Sequence, residues 1–390
     1  MRERWRALRE RWAVLQARAR QRQPRWPWLV PAIFLGIVLF VPAMPLFSDP
    51  WLRVFFLVGL YVVLGLGLNV VVGFAGLLDL GYVAFFATGA YLMGTLSSPA
   101  SPIDISAGFW TVLPMAILLG SLVGLILGLP VLPLRGDYLA IVTLGFGEII
   151  RLLLVNVEDV TNGSQGLSAI AVPDLVFREI DALWMWYYAI VIAAILTWFV
   201  TARLREARIG RAWEAIREDE DVAAAMGINT VKYKLMAFAI GAALGAFGGV
   251  LYASFIGFIN PQAFSLQVSI NVLAIVIIGG MGSTSGVIAG SFILIGLPEI
   301  LQFRDTREFL ANFTFISDAV NSLVDGLNAL VPFEISKVAP ADRWGAAIAD
   351  KRFIIYGALL VAVMVLRPQG LFPSKRRAIE LQHAAEQAQR

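Results

Sequence analysis

Apolar residues fall in long runs broken by short polar stretches. The runs cover 28–47, 52–72, 81–96, 110–132, 138–155, 184–202, 235–257, 266–281, 286–303 and 353–367. A bilayer core takes about 20 helical residues per crossing, and a backbone in lipid must satisfy its own polar groups. The pattern therefore predicts an all-α, polytopic membrane protein of about ten transmembrane helices. Several runs are short or glycine-rich, so broken or half helices are expected around 73–96 and 266–290.

Composition agrees. The chain has 390 residues, 58% hydrophobic and 15% charged, against ~25% charged in soluble domains. Cysteine is absent and His383 is the single histidine. This excludes a disulfide scaffold, a thiolate metal site and a Ser-His-Asp triad in the membrane body, and no metal site is expected. Nothing in the chain points to nucleic acid.

With the N-terminus placed inside, inner segments hold twenty-two Lys/Arg and outer segments eight. That matches the positive-inside rule and puts both termini in the cytoplasm. Residues 1–25 carry nine Arg. Trp5, Leu8, Trp12 and Leu15 form a helical stripe among them, so either a basic amphipathic helix on the inner leaflet or a disordered arm fits.

Polar groups inside the runs are the candidates for chemistry. Glu148 and Arg151 lie three apart and share a helix face. They form either a structural ion pair near the outer interface or a pathway element or coupling carboxylate, since a charge in the bilayer is costly. Asp79 falls between two runs near the inner face. Asn69 precedes the glycines 73, 76 and 81, and Asn271 precedes 279, 280, 282 and 286. This echo fits plain helix packing or a pair of broken helices lining a pathway. Asn69, Tyr82, Thr143 and Asn271 are the pathway candidates, as polar groups otherwise left in lipid.

The inner loop 203–234 holds seven Lys/Arg and six Asp/Glu, interrupted by Trp213, Ile216, Val222, Ala223 and Met226. Helix formers run from Ala212 to Met226, and Gly227 supplies a stop. A short helix parallel to the membrane is expected. Its apolar knobs and two-sign charged rim suit docking to a soluble partner. No phosphate-binding G-x-x-x-x-G-K-[ST] loop exists, and no Gly is followed by Lys. Energy must come from another subunit or an ion gradient.

Five segments, in order, resemble the M-type permease subunits of branched-chain amino acid (LIV-type) ABC importers. They are Gly65–Tyr82 (GLGLNVVVGFAGLLDLGY), Leu134–Arg151 (LRGDYLAIVTLGFGEIIR), Glu214–Glu220 (EAIREDE) with Ala225–Asn229 (AMGIN), Gly279–Ser283 (GGMGS) and Arg367–Leu371 (RPQGL). The resemblance spans roughly 50–303 and 350–372. It implies a permease core over 26–303 and 350–372, with an ATPase-coupling segment inside 203–234. In that segment Arg211, Trp213, Glu214, Ala215, Ile216, Arg217, Glu218, Asp219, Glu220, Ala225, Met226, Gly227, Ile228 and Asn229 are the coupling residues. It further implies a second homologous permease, two ATPase subunits carrying ATP and Mg, a periplasmic amino-acid-binding protein, and a place in the bacterial inner membrane. No cofactor is expected in this chain, nor catalysis by it.

Two departures stand out. About 40 residues, roughly 306–348, are inserted before the last run. Ile316, Val320, Leu323, Leu327 and Leu330 give this outer segment, 304–349, an amphipathic helical stripe. The outer loop Thr161–Gly166 replaces the family's Gly-Pro-rich version while keeping turn-forming residues. Residues 373–390 are a polar cytoplasmic tail. Three other readings stay open: an ABC permease for urea, amides or short carboxylates; an ion-coupled secondary transporter using Glu148 or Asp79; and an intramembrane enzyme, which lacks a nucleophile-base pair.

Overall fold

The computed structural model describes residues 49–300 except 104, 135, 176, 177 and 181, together with positions 357 and 361. The basic N-terminal stretch, the first apolar run, the outer insertion, the last apolar run apart from positions 357 and 361, the Arg367–Leu371 segment and the C-terminal tail lie outside the described residues.

The described chain is helical. Helix α1 spans Asp49–Leu68 and continues as a π turn over Asn69–Phe74. Helix α2 spans Val83–Ser97, α3 Phe109–Val131, α4 Asp137–Asn156 and α5 Leu183–Glu206. Two short helices follow, α6 over Arg208–Glu218 and α7 over Glu220–Ala225. Helix α8 runs Thr230–Ile256, α9 Leu266–Gly279 and α10 Thr284–Ser291, the last extended by a π turn, Phe292–Gly296, and a final turn, Leu297–Ile300. These elements track the apolar runs between 52 and 303 to within a few residues.

Among the described residues, five helices are long and apolar enough to cross a membrane: α1 with its π turn, α3, α4, α5 and α8. Helices α2 and α9 have 15 and 14 residues. At 1.5 Å per residue each reaches only about 21–23 Å, short of the ~30 Å hydrocarbon core. Both belong to the segments expected to hold half helices.

Small residues set the packing of the centre. The most extensive helix contacts join α8 to α3 and to α2. Gly120, Gly124 and Gly128 repeat every four residues on α3 and face Phe238, Ala242 and Ala246 of α8. A Cβ on Gly124 would stand 2.6 Å from the Phe238 carbonyl oxygen, so the two backbones touch. Lipid tails give helices no hydrophobic reason to associate, so close backbone approach and dispersion hold such pairs together.

Opposite the α6–α7 side, irregular chain closes the bundle. Strand β1 (Leu167–Ser168) pairs antiparallel with β4 (Phe258–Ile259), Leu167 opposite Ile259. Strands β2 (Asp174–Leu175) and β3 (Arg178–Glu179) form a second two-stranded ribbon. In the 161–166 loop Asn162, Gly163 and Gly166 all have positive φ, which the turn residues there allow.

One element departs from expectation. The helix formers from Ala212 to Met226 predict a single helix, yet the chain breaks at Asp219, whose backbone is extended (φ −157°). The Asp219 carboxylate accepts from the amides of Asp221 and Val222 at 2.9 and 3.0 Å. An Asx N-cap competes with helix continuation and starts a new helix instead. Gly227, at φ +85°, ends α7 as expected.

Candidate functional site

The α6–α7 unit is fixed to the helical body by three side chains. Trp213 is fully buried. Its indole Nε1 donates to the Tyr233 carbonyl at 2.7 Å, and its ring stacks on Phe74 with centroids 6.5 Å apart. Arg217, one turn further, donates from Nη1 to the carbonyl of Gly73. Lys234, buried in the first turns of α8, pairs with Glu220 at 2.5 Å and reaches the Leu132 carbonyl at 3.4 Å. Ala212 and Ile216 complete the buried face, while Glu214, Ala215 and Ile228 are half-buried.

The other face of the unit points away from the bundle. Arg211, Glu218, Asp219, Ala225 and Gly227 are exposed. Met226 is 79% exposed and Val222, four residues earlier, 58%. Asn229 is spent on its own chain, accepting from the Lys232 amide at 3.0 Å as the N-cap of α8.

Beneath α6 lies a junction of glycines. Gly73 and Phe74 end the π turn that follows α1. Asn69 opens that turn, and its Oδ1 accepts from the Gly282 amide at 2.9 Å. The first glycine cluster therefore meets the second, although 213 positions separate the partners. A Cβ on Gly73 would stand 2.6 Å from the Gly282 nitrogen, and one on Gly282 3.2 Å from Arg217 Nη1. Only glycine admits three chain segments at this point.

Of the four pathway candidates, Thr143 meets the 79–82 segment that carries Tyr82, while Asn69 and Asn271 bond elsewhere. Asn69, Tyr82 and Thr143 are fully buried and hold backbone. Tyr82 donates to the Gly241 carbonyl at 3.2 Å, and Thr143 Oγ1 accepts from the Leu80 amide at 3.0 Å. Asn271 sits on α9, where its Oδ1 accepts from Gln267 Nε2 at 3.0 Å on an exposed face. Asp79 is fully buried between the π turn and α2; its Oδ1 accepts from the Gly81 amide at 2.8 Å. Glu148 and Arg151 do pair, with Arg151 Nε 3.0 Å from both carboxylate oxygens. Sequence reasoning missed Lys234, Gln267 and Ser269, whose hydroxyl accepts from the Val83 amide at 3.0 Å and so starts α2. The carbonyl that Lys234 reaches and the amide that Ser269 caps are distant in sequence, so no local pattern marks these two residues, whereas Gln267 bonds one turn along its own helix. No group of His, Cys, Asp and Glu able to hold a metal occurs among the described residues.

Long apolar helices, two half-length helices and a polar helical unit clamped at one end fit a multi-pass helical membrane protein. The chain matches the family described as "Branched-chain amino acid transport system / permease component" over residues 51–319, and it belongs to that family. It is 37% identical to the high-affinity branched-chain amino acid transport system permease protein LivM of Escherichia coli K12, over 84% of this chain and 71% of that one. It is 25% identical to the probable branched-chain amino acid transport permease protein LivM of Methanocaldococcus jannaschii, over 81% and 91%. The corresponding permease LivH of E. coli K12 is 27% identical over 62% of this chain and 81% of its own. No solved structure matches.

Proposed function

We propose that this chain is one of two homologous permease subunits of an ATP-driven importer of branched-chain amino acids in the bacterial inner membrane. Separate ATPase subunits supply the energy through ATP and Mg, and a periplasmic binding protein supplies substrate. Membership of the permease family supports the class. The observation that carries the mechanism is the exposed pair Val222 and Met226 on a unit otherwise clamped to the bundle. Two apolar side chains one helical turn apart, rimmed by charge, fit a cleft on a soluble motor. Placing this unit on the cytoplasmic side follows from the basic inner loops.

Force delivered at Met226 has a short route inward. It passes through α7 and α6 to Arg217 and Trp213, and from them to Gly73 and Phe74 of the π turn. Asn69 then carries it to the Gly282 loop between α9 and α10. π turns and broken helices are the segments of a membrane bundle able to rearrange without exposing backbone to lipid. The unit thus joins a motor to the segments that gate passage.

The test is reconstitution of the chain with its second permease and both ATPases in vesicles. Met226→Asp with Val222→Asp is expected to remove the ATPases on co-purification and abolish ATP-driven leucine uptake. ATPases that stay bound, with uptake unchanged, would refute the docking assignment.

A further inference from the structure

A cleft of about 200 Å³ opens where the start of α2, the middle of α4 and the start of α9 meet. Leu80, Val83, Leu144, Gly147, Phe264 and Leu266 line it, and Glu148 is its single charged wall. Pockets for drug-sized ligands hold roughly 300–1,000 Å³, so this one suits a ligand of a few heavy atoms. Arg151 stands one turn beyond Glu148 on the same face and is bonded to it.

The position of this pair is unusual. Glu148 is the twelfth residue of a 20-residue helix, about 16 Å from its start, just past the helix midpoint. The two side chains are nevertheless 46% and 28% exposed. Charges within a membrane span are costly toward lipid, and the described chain leaves this face of α4 uncovered. Helix α9, which touches α4, carries the exposed pair Gln267–Asn271 immediately after Leu266.

A branched-chain amino acid has three features: an ammonium, a carboxylate and a short forked aliphatic group. The face offers a carboxylate, a guanidinium and a short apolar cleft in matching order. We propose that Glu148, Arg151 and the cleft form a transient subsite for a zwitterionic amino acid with a branched aliphatic side chain. Glu148 takes the α-ammonium, Arg151 takes the α-carboxylate, and Leu144, Phe264 and Leu266 receive the side chain. The pair separates to bind and closes again on release, so neither charge is left unpaired in a medium of low dielectric. Exchange of one ion pair for two holds substrate weakly, as a passage requires.

This inference rests on the importer reading, and one experiment separates the two. The complete importer is reconstituted in vesicles, and ATP-driven uptake of radiolabelled leucine is measured for complexes whose subunits co-purify. Glu148→Gln and Arg151→Gln are each expected to cut uptake at least tenfold. Leu266→Trp, at a lining position 37% exposed, leaves the pair intact and is expected to cut leucine uptake more than alanine uptake. The exchange Glu148→Arg with Arg151→Glu rebuilds an ion pair with reversed order and is expected not to restore uptake. Restoration by the exchange would reduce the pair to a structural brace and overturn the subsite. So would Leu266→Trp with unaltered leucine and alanine uptake. No uptake by the unsubstituted complex would instead overturn the importer reading itself.

Discussion

Arg217 donates its guanidinium to the carbonyl of Gly73, joining the polar α6–α7 unit to the π turn at the end of α1. The carbonyls in that turn lack regular α-helical partners, and a cation supplies one of them with a charge-assisted bond. The bond is directional, and Arg217 also packs its stem on Gly76.

Arg217→Met keeps the stem and removes the donor. ATPases are expected to remain bound, because the exposed knob is untouched, while leucine uptake falls about tenfold, the factor that corresponds to 1.4 kcal/mol of lost coupling. Parallel assays of ATP hydrolysis and uptake in vesicles check this. Hydrolysis and uptake falling in equal proportion would show that Arg217 transmits nothing of its own.

Trp213 anchors the same unit by packing. Trp213→Ala empties a fully buried site and is expected to cost about 3–5 kcal/mol. The readout is the thermal midpoint of the purified complex in detergent. Trp213→Phe keeps an aromatic ring against Phe74 but loses the bond to Tyr233 and part of the indole volume, a cost of about 1–3 kcal/mol. Equal losses from the two variants would contradict this division.

Asn69 is the third joint. Asn69→Leu strands the buried amide of Gly282 and is expected to destabilise the chain by about 1–3 kcal/mol. Gly282→Ala adds strain at φ +82° and crowds Arg217. Both are expected to lower uptake through the same junction, so the double variant should fall short of additivity. Independent, additive effects would separate the two residues.

Much of the fold is legible in the chain because a bilayer imposes one strong rule. Runs of apolar residues become helices, and every run between 52 and 303 did so within a few residues of its predicted ends. The half-length helices were legible from short runs and glycines. Asp219 was harder. Its side chain can cap a helix or ride within one, and helix propensity alone favoured continuity; the cap prevailed because two amides lie within its reach.

The site was legible unevenly. Trp213 and Met226 stood out in a charged loop, and Arg217 came from the family resemblance, yet which faces inward and which outward depends on Tyr233, Gly73 and the bundle surface. Asn69 was singled out as a polar group in lipid, and its partner proved to be the other glycine cluster. Asn271, its apparent counterpart, bonds along its own helix instead. The cleft had no trace in the sequence, because its walls come from three segments brought together only by folding.

Helix α4 offers its neighbours a narrow seam. Its buried residues are Leu139, Ala140, Thr143 and Gly147, a single line along the rod. A cylinder glued along one line can roll about it, trading small contacts for others of equal size without prising the assembly apart. Such rolling would swing Glu148 and Arg151 through an arc while the seam stays shut.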